Sequence, residues 1–226
     1  MNGRTYGQFC GVARALELVG ERWGLLVIRD LILGPKRFTE LREGLPRIPA
    51  SILSSRLNEL EQAGAIRRRV LPNLDAAVVY ELTEYGSDLE PILLQLGLWG
   101  ARSLTEPAIG DVFTRDSAIL SLYTTFRPDH ATGIRASYEL HYGPLTLHAL
   151  IDDGILKVSE GAYPDANHVI DAHGNIKPLL SGEMSPREAL AEGILTVTGD
   201  PALLELFVDL FHIPEAPLPV EGLAVR

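Results

Sequence analysis

The sequence predicts a mixed fold of two domains, a mainly helical first domain with one β-hairpin and a second domain of the α+β class. Its 226 residues suit one large or two small domains, at roughly 100–200 residues per domain. Charge favours two, because residues 1–103 hold 13 Lys and Arg against 12 Asp and Glu, whereas residues 104–226 hold 7 against 18. A helical pattern also stops near Pro107. The predicted parts are a first domain at residues 1–104, a second at 107–213 and a tail at 214–226.

Composition excludes several classes of protein. The single Cys10 rules out a disulfide within the chain and a cysteine-cluster metal site. No stretch approaches the ~18 consecutive apolar residues of a membrane span. The N-terminus lacks the apolar core of a signal peptide, so we expect a cytoplasmic protein. The tail holds three prolines and fits either an extended arm or a frayed terminus.

Helical periodicity dominates the first domain. Apolar residues recur at helical spacing over residues 10–33, and Gly20 divides them into two helices. The elements predicted next are a short helix at 38–45, a fourth helix at 49–62, strands at 66–71 and 78–82 joined by a turn at 72–75, and a closing helix at 83–102. Helices followed by a two-stranded hairpin in this order predict a winged helix-turn-helix.

The fourth helix separates apolar side chains from uncharged polar ones. At ~100° per residue, Leu53, Leu57 and Leu60 fall on one stripe. The side chains of the opposite face carry hydroxyl and amide groups: Ser51, Ser54, Ser55, Asn58 and Gln62. Such groups can hydrogen-bond base edges in the major groove of DNA, so the pattern predicts a recognition helix. The alternative is a serine-rich exposed face without a partner.

Basic residues surround this helix. They are Lys36, Arg37, Arg47, Arg56, Arg67, Arg68 and Arg69. Cationic side chains hold DNA phosphates and fix the register of a protein on the duplex without reading its sequence. Each could equally be an ordinary surface charge, and successive arginines of the run at 67–69 must face different sides of a strand. We predict that these residues bind DNA together with Ser51, Ser54, Ser55 and Asn58.

Several stretches of the first domain match sequence motifs of a known family and occur in the same order. They are CGVARAL at 10–16, GERW at 20–23, LLVIRDLILG at 25–34, RFTEL at 37–41, LSSRL at 53–57, LEQAG at 60–64 and YELT at 80–83. On these stretches, residues 10–103 resemble the HxlR-type transcriptional regulators, winged-helix relatives of the MarR group. The resemblance implies a homodimer whose recognition helices enter successive major grooves of a pseudo-palindromic site in double-stranded DNA. It also implies a dimer interface made by the helices at 10–19 and 89–99.

The chain departs from that family at basic positions. Ser51, Asn58 and Ala77 stand where relatives commonly have basic residues, so we expect weaker DNA binding that depends less on salt. In some relatives the cysteine that matches Cys10 forms an intersubunit disulfide as a redox switch. The resemblance therefore leaves two roles for Cys10, a redox switch between subunits or a buried structural cysteine.

Alternation of apolar and polar residues predicts a sheet in the second domain. The predicted strands are at 134–142, 145–151, 155–159, 167–172 and 194–198, and the predicted helices are at 173–181, 186–192 and 201–211. This order, with LSG at 180–182, SPREAL at 185–190, EGIL at 192–195 and TGDP at 198–201, resembles the sterol-carrier-protein-like domain. The resemblance implies a tunnel between sheet and helices that holds an apolar small molecule.

The candidate residues that line this tunnel are large and mostly aromatic. They are Leu122, Phe126, Tyr138, Leu140, Leu147, Phe207 and Phe211. Plain core packing is the alternative for each of them. Sterol itself is not implied, because a fold does not carry the identity of its ligand.

No pattern of catalytic residues stands out. The six histidines lack the HExxH spacing, and the chain has no nucleophile elbow, phosphate loop or dinucleotide-binding glycine pattern, so we expect neither an enzyme nor a cofactor. The sequence favours a DNA-binding regulator, a repressor, whose second domain binds an apolar effector. The effector would change the spacing of the recognition helices by binding one state more tightly. The alternative is a lipid-binding or transfer protein that uses the winged helix only to dimerise.

Overall fold

The computed structural model describes residues 5–71, 77–200 and 202–215, and its chain separates into the units Met1–Leu93 and Leu94–Arg226. The separation falls inside a helix, ahead of the end that the sequence predicts for the first domain. The turn predicted at 72–75 and the tail beyond residue 215 lie outside the described residues. Within the described ranges, no helix has the length and hydropathy to span a membrane.

Two helices open the first unit, α1 (Gly11–Val19) and α2 (Gly24–Ile32), as the apolar spacing predicts. Gly20 ends α1, and its N–H donates to the Leu16 carbonyl. A Cβ at Gly20 would lie 2.5 Å from that carbonyl oxygen, so this close approach requires glycine. The inward face of α2 supplies fully buried apolar side chains to the core of the unit.

A helix-turn-helix follows. A two-residue strand, β1 (Lys36–Arg37), leads into α3 (Phe38–Gly44), and a short connection leads to α4 (Ala50–Gln62). The sequence does not predict β1, because two residues are too few to show alternation. Both predicted helices are present within a few residues of their expected bounds.

The wing is an antiparallel hairpin of β2 (Ile66–Leu71) and β3 (Ala77–Leu82). Its register pairs Ile66 with Leu82 and Leu71 with Ala77. Strand β1 pairs with the other edge of β3, which gives a three-stranded sheet in the order β1-β3-β2. The prediction of a winged helix-turn-helix in the first unit is confirmed.

The prediction of a single closing helix at 83–102 is wrong. The structure has a short α5 (Glu84–Ser87) and a separate α6 (Glu90–Ala101). Pro91 explains the break, because proline has no N–H to donate to the residue four positions earlier and its ring clashes with that carbonyl. Thr83 does cap a helix as expected, since its hydroxyl accepts the Gly86 N–H at 3.0 Å.

The second unit begins its fold with a helix that the sequence did not reveal, α7 (Arg115–Thr125). Its buried residues include the consecutive run Ala118, Ile119 and Leu120 as well as Leu122, so they surround the helix instead of forming one stripe. A helix buried on several sides has no amphipathic period to detect. A 3₁₀ turn over Pro128–Ala131 follows it.

A five-stranded sheet forms the centre of the second unit. Its strands are β4 (Arg135–Tyr142), β5 (Leu145–Asp152), β6 (Ile155–Glu160), β7 (His168–Ala172) and β8 (Leu195–Gly199), in the spatial order β6-β5-β4-β7-β8. Only β4 and β7 pair in parallel among these neighbours. All the strands that alternation predicts are present.

Three helices complete the unit, α8 (Lys177–Leu180), α9 (Pro186–Ala191) and α10 (Ala202–Leu210). Ser185 and Asp200 cap α9 and α10 as predicted, by accepting the N–H groups of Glu188 at 3.2 Å and Ala202 at 2.9 Å. The second unit is therefore a mixed unit of sheet and helices. Its resemblance to the sterol-carrier-protein-like domain stays a prediction.

Candidate nucleic-acid interface

The uncharged polar face predicted for α4 is at the surface. Ser51, Ser54, Asn58 and Gln62 are exposed, whereas Leu53, Leu57 and Leu60 on the opposite face are buried. Ser55 is half-buried, and its hydroxyl donates to the Glu59 carboxylate at 3.0 Å. We call Ser51, Ser54, Ser55, Asn58 and Gln62 the polar face. Its donors and acceptors suit base edges, which present both kinds of group in a major groove.

The connection before α4 fixes how this face is presented. The Ile48 N–H donates to the Leu45 carbonyl at 2.9 Å, and both side chains are buried. Pro49 holds extended backbone at the start of α4, and its carbonyl accepts the Leu53 N–H at 3.0 Å. The first turn of the helix that carries the polar face is therefore held by the buried connection before it and by the hydrogen bond between Pro49 and Leu53.

Ile52 is a candidate contact that the polar pattern missed. Its side chain is 39% exposed beside the polar face, in the first turn of α4. Apolar side chains contact the 5-methyl group of thymine, which no other base of DNA offers. The sequence does offer a signal for this exposure: Ile52 follows Ser51 of the polar face and precedes Leu53, where the buried stripe of α4 begins.

Two arginines of the wing share one carboxylate. The Arg67 Nε lies 2.8 Å from Glu81 Oε1, and the Arg69 Nη2 lies 2.8 Å from Glu81 Oε2. Burial pushes the pKa of Glu81 up, but the hydrogen bonds and charges of both arginines outweigh it and leave that pKa lowered. Arg67 and Arg69 therefore lie on one side of β2, as strand alternation requires.

Arg68 points to the other side of β2 and joins the wing to the recognition helix. Its Nε lies 3.0 Å from each carboxylate oxygen of Glu61, and its Nη2 lies 2.6 Å from Oε2. This bond lowers the pKa of Glu61, so the carboxylate is charged at neutral pH. The whole arginine run predicted to hold phosphates is thus exposed but already paired within the chain.

The remaining predicted phosphate contacts divide into two kinds. Arg37 and Arg47 are exposed near α3 and α4. Lys36 is only 7% exposed, and the Arg56 side chain is 14% exposed with its Nη1 2.6 Å from Glu59 Oε2. The expectation that Lys36 and Arg56 stand beside the polar face as accessible cations is therefore corrected. Strand β1 draws Lys36 inward, and the ion pair holds Arg56 along α4.

Cys10 is exposed, which corrects the alternative of a buried structural cysteine. It stands just before α1, and hydrogen bonds from the backbone of Ala13 and Val12 lower the pKa of its thiol. A lowered thiol pKa increases the thiolate, which is the reactive form.

The predicted ligand-lining residues come together in the core of the second unit. Leu122, Tyr138, Leu140, Leu147, Phe207 and Phe211 are buried, and Phe126 is half-buried. Several of their rings are in mutual contact, such as Phe207 and Phe211 with centroids 4.7 Å apart. The structure places these residues in a closed core, so their role towards a ligand stays a prediction.

Comparison with known proteins concerns the first part of the chain. A family model described as "HxlR-like helix-turn-helix" matches residues 18–107. The chain is 42% identical over 93 residues to the HTH-type transcriptional regulator YodB of Bacillus subtilis (strain 168), covering 41% of this chain and 82% of YodB. It is 39% identical over 103 residues to the uncharacterized HTH-type transcriptional regulator YtcD of the same organism, covering 46% of this chain and 81% of YtcD.

A solved structure gives a third comparison. The redox regulator HypR in its oxidized form is 38% identical, with a TM-score of 0.40, and the match covers 42% of this chain and 99% of HypR. The family match ends at residue 107, ahead of α7, so these similarities describe the winged-helix part.

Proposed function

The chain belongs to the HxlR-like helix-turn-helix family and is a DNA-binding transcriptional regulator, and we propose that it acts as a homodimeric repressor whose second unit binds an apolar effector. The polar face of α4 carries this proposal. It presents hydroxyl and amide groups on an anchored helix, with Ile52 beside them and the wing arginines nearby in sequence and fold. Base edges and phosphates are the partners that such a set can satisfy. In this proposal the chain is cytoplasmic and performs no catalysis.

Exposed apolar side chains on α6 support the homodimer. Ile92, Leu96 and Trp99 follow at spacings of four and three residues, so they share one stripe of the helix. All of them are exposed, and no residue of α6 is buried. A second copy of the chain would cover this stripe, and two copies give the two-fold symmetry of a pseudo-palindromic operator.

The effector half of the proposal concerns the second unit. Its support is the resemblance to a domain that holds apolar molecules, together with the aromatic character of its core. An effector releases the repressor only if it binds the state that is unable to bind DNA more tightly, because equal affinity for both states shifts nothing. Loss of DNA binding on addition of an apolar compound would support it.

The exposure of Cys10 supports a redox response of the regulator. With one cysteine per chain, a disulfide between protein cysteines can form only between two subunits. Non-reducing electrophoresis after treatment with diamide tests it: a dimer band that is absent in Cys10→Ser supports the response. A wild-type chain that stays monomeric on the gel contradicts it.

The test of the proposed function is binding to DNA followed by fluorescence anisotropy. The first duplex is the one upstream of the protein's own coding region, titrated with and without excess unlabelled competitor DNA. We expect binding that survives the competitor. A reporter fused to the same region should be derepressed when the regulator is deleted.

Two results would contradict the proposal. In the first, competitor DNA abolishes binding to every duplex that is selected from a random pool, which means that the chain does not recognise a DNA sequence. Reporter expression that falls on deletion means that the chain activates. An apolar ligand bound by a chain without DNA affinity would instead favour a lipid-binding or transfer protein.

A further inference from the structure

A row of aromatic rings runs through the core of the second unit. Ring centroids are 5.5 Å apart for Phe126 and Phe211, and 4.7 Å for Phe211 and Phe207. They are 5.2 Å apart for Phe207 and Tyr138, and 6.0 Å for Tyr138 and His168. We call these five residues the aromatic row. It joins four of the predicted ligand-lining residues to a histidine that the sequence pattern did not place in the site.

His168 is the member of the row whose polar atoms are unsatisfied. It is 1% exposed, and neither ring nitrogen has a hydrogen-bond partner within the described residues. Burial lowers the pKa of His168, so the ring is neutral at physiological pH and offers one donor and one acceptor. Leaving such groups unpaired in a protein interior is unfavourable. A ligand that supplies a partner would therefore gain a hydrogen bond that the closed core lacks.

The surroundings of His168 restrict the chemistry of that partner. The Tyr138 hydroxyl already donates to the Leu203 carbonyl at 3.2 Å. Asp200 caps α10, and its negative charge acts on the His168 ring. Asp200 follows Gly199, which pairs with His168 between β7 and β8. A carboxylate or phosphate bound to His168 would be repelled by this charge, whereas a hydroxyl or a carbonyl group would not. The rest of the row presents ring faces and edges, which favour aromatic partners.

We propose that the aromatic row is the effector site and that His168 binds the polar group of an uncharged, largely aromatic ligand carrying one hydroxyl or carbonyl. This rests on the proposed function in assigning the effector to the second unit. The rings contact one another, so the ligand enters by separating them. Its polar group then pairs with His168 and its apolar part takes over ring contacts.

The test uses two probes that differ by one hydroxyl, naphthalene and 2-naphthol, titrated into the full chain and followed by probe fluorescence. We expect wild-type protein to bind 2-naphthol about tenfold more tightly than naphthalene, the value of about one satisfied buried hydrogen bond. His168→Phe removes both nitrogens and keeps a ring, so the ratio of 2-naphthol affinity to naphthalene affinity should fall by about tenfold. His173→Phe is the matched control, because His173 is exposed, and it should preserve the preference.

Further readouts separate a ligand contact from a structural role. His168→Phe should raise the melting temperature, because it removes unsatisfied buried nitrogens. His168→Gln keeps one donor and one acceptor and should retain the preference for 2-naphthol, which provides a test even if the phenylalanine variant does not fold. Equal affinity of wild type for both probes, or a preference that survives His168→Phe, overturns the role of His168 and leaves the effector unit intact. Failure of both probes to bind overturns the aromatic row as a site, whereas DNA binding measured separately reports on the regulator itself.

Discussion

Replacing Glu61 by Gln should strengthen DNA binding, because Glu61 holds Arg68 away from phosphates. Both carboxylate oxygens lie 3.0 Å from the Arg68 Nε, and one lies 2.6 Å from its Nη2. Glutamine keeps the size of the side chain but removes its charge, which leaves the exposed guanidinium free to reach a phosphate. One added phosphate contact steepens the slope of log K against log salt by ~0.9, which corresponds to about fivefold in affinity at physiological salt. The exposed ion pair itself stabilises the fold by less than about 1 kcal/mol, so the variant should stay folded.

The assay is fluorescence anisotropy on a duplex of mixed sequence at several salt concentrations, so it needs no knowledge of the operator. Arg68→Ala should weaken binding about fivefold at most, because its cation is already paired. Combining it with Glu61→Gln supplies the control: if the gain acts through Arg68, it disappears in the double variant. Affinity that falls or stays constant in Glu61→Gln, or a gain that persists without Arg68, would show that Glu61 does not hold Arg68 away from phosphates.

Three further predictions concern other parts of the chain. When the thymines of a selected operator are replaced by uracil one at a time, one replacement should weaken wild-type binding by a few-fold. Ile52→Ala should not distinguish thymine from uracil at that position, because its side chain no longer reaches the methyl group. If Ile52→Ala and wild type respond alike, Ile52 does not contact a thymine methyl. Ile92→Asp should shift the chain to a monomer in sedimentation and weaken operator binding. An apolar side chain of this size, exposed in one chain, contributes about 1.5–3 kcal/mol to the free energy of dimerisation when a second chain buries it. If the dimer is unchanged in Ile92→Asp, the interface lies elsewhere. The pKa of His141 is raised first by its hydrogen bond to Glu139 at 2.7 Å and then by Asp171, so the contribution of His141 to stability is complete below the ordinary pKa of 6.5 and is lost as pH rises through the raised pKa. The difference in urea unfolding free energy between wild type and His141→Gln should therefore shrink by about 1 kcal/mol over that interval of pH. A difference that does not depend on pH contradicts the assignment.

Periodicity was sufficient to predict most elements of the fold. The stripe of Leu53, Leu57 and Leu60 located the recognition helix, and alternation located each strand of the sheet. It failed where the physical signal is absent. Helix α7 is buried on several sides, and the closing helix breaks at Pro91, whose position the helical pattern concealed.

The candidate interface was predictable in part. Its polar face follows from spacing along one helix, and that part is at the surface. The ion pair between Glu61 and Arg68 joins α4 to β2, and no rule of local sequence brings them together. The unsatisfied His168 depends likewise on the register that places it between Tyr138 and Gly199. Such tertiary pairings decide which charges and polar groups are available.

The most direct test of sequence readout by α4 compares the wild-type chain with a triple variant, Ser54→Ala, Ser55→Ala and Asn58→Ala. The operator is the duplex recovered by selection with wild-type protein, and the competitor is a duplex of mixed sequence. We expect the ratio of specific to non-specific affinity to fall by about 100-fold, because base contacts of this kind contribute roughly 1–3 kcal/mol each at best. Non-specific affinity and the melting temperature should stay at wild-type values. An unchanged ratio in a folded variant would contradict the assignment of the polar face as the surface that reads DNA.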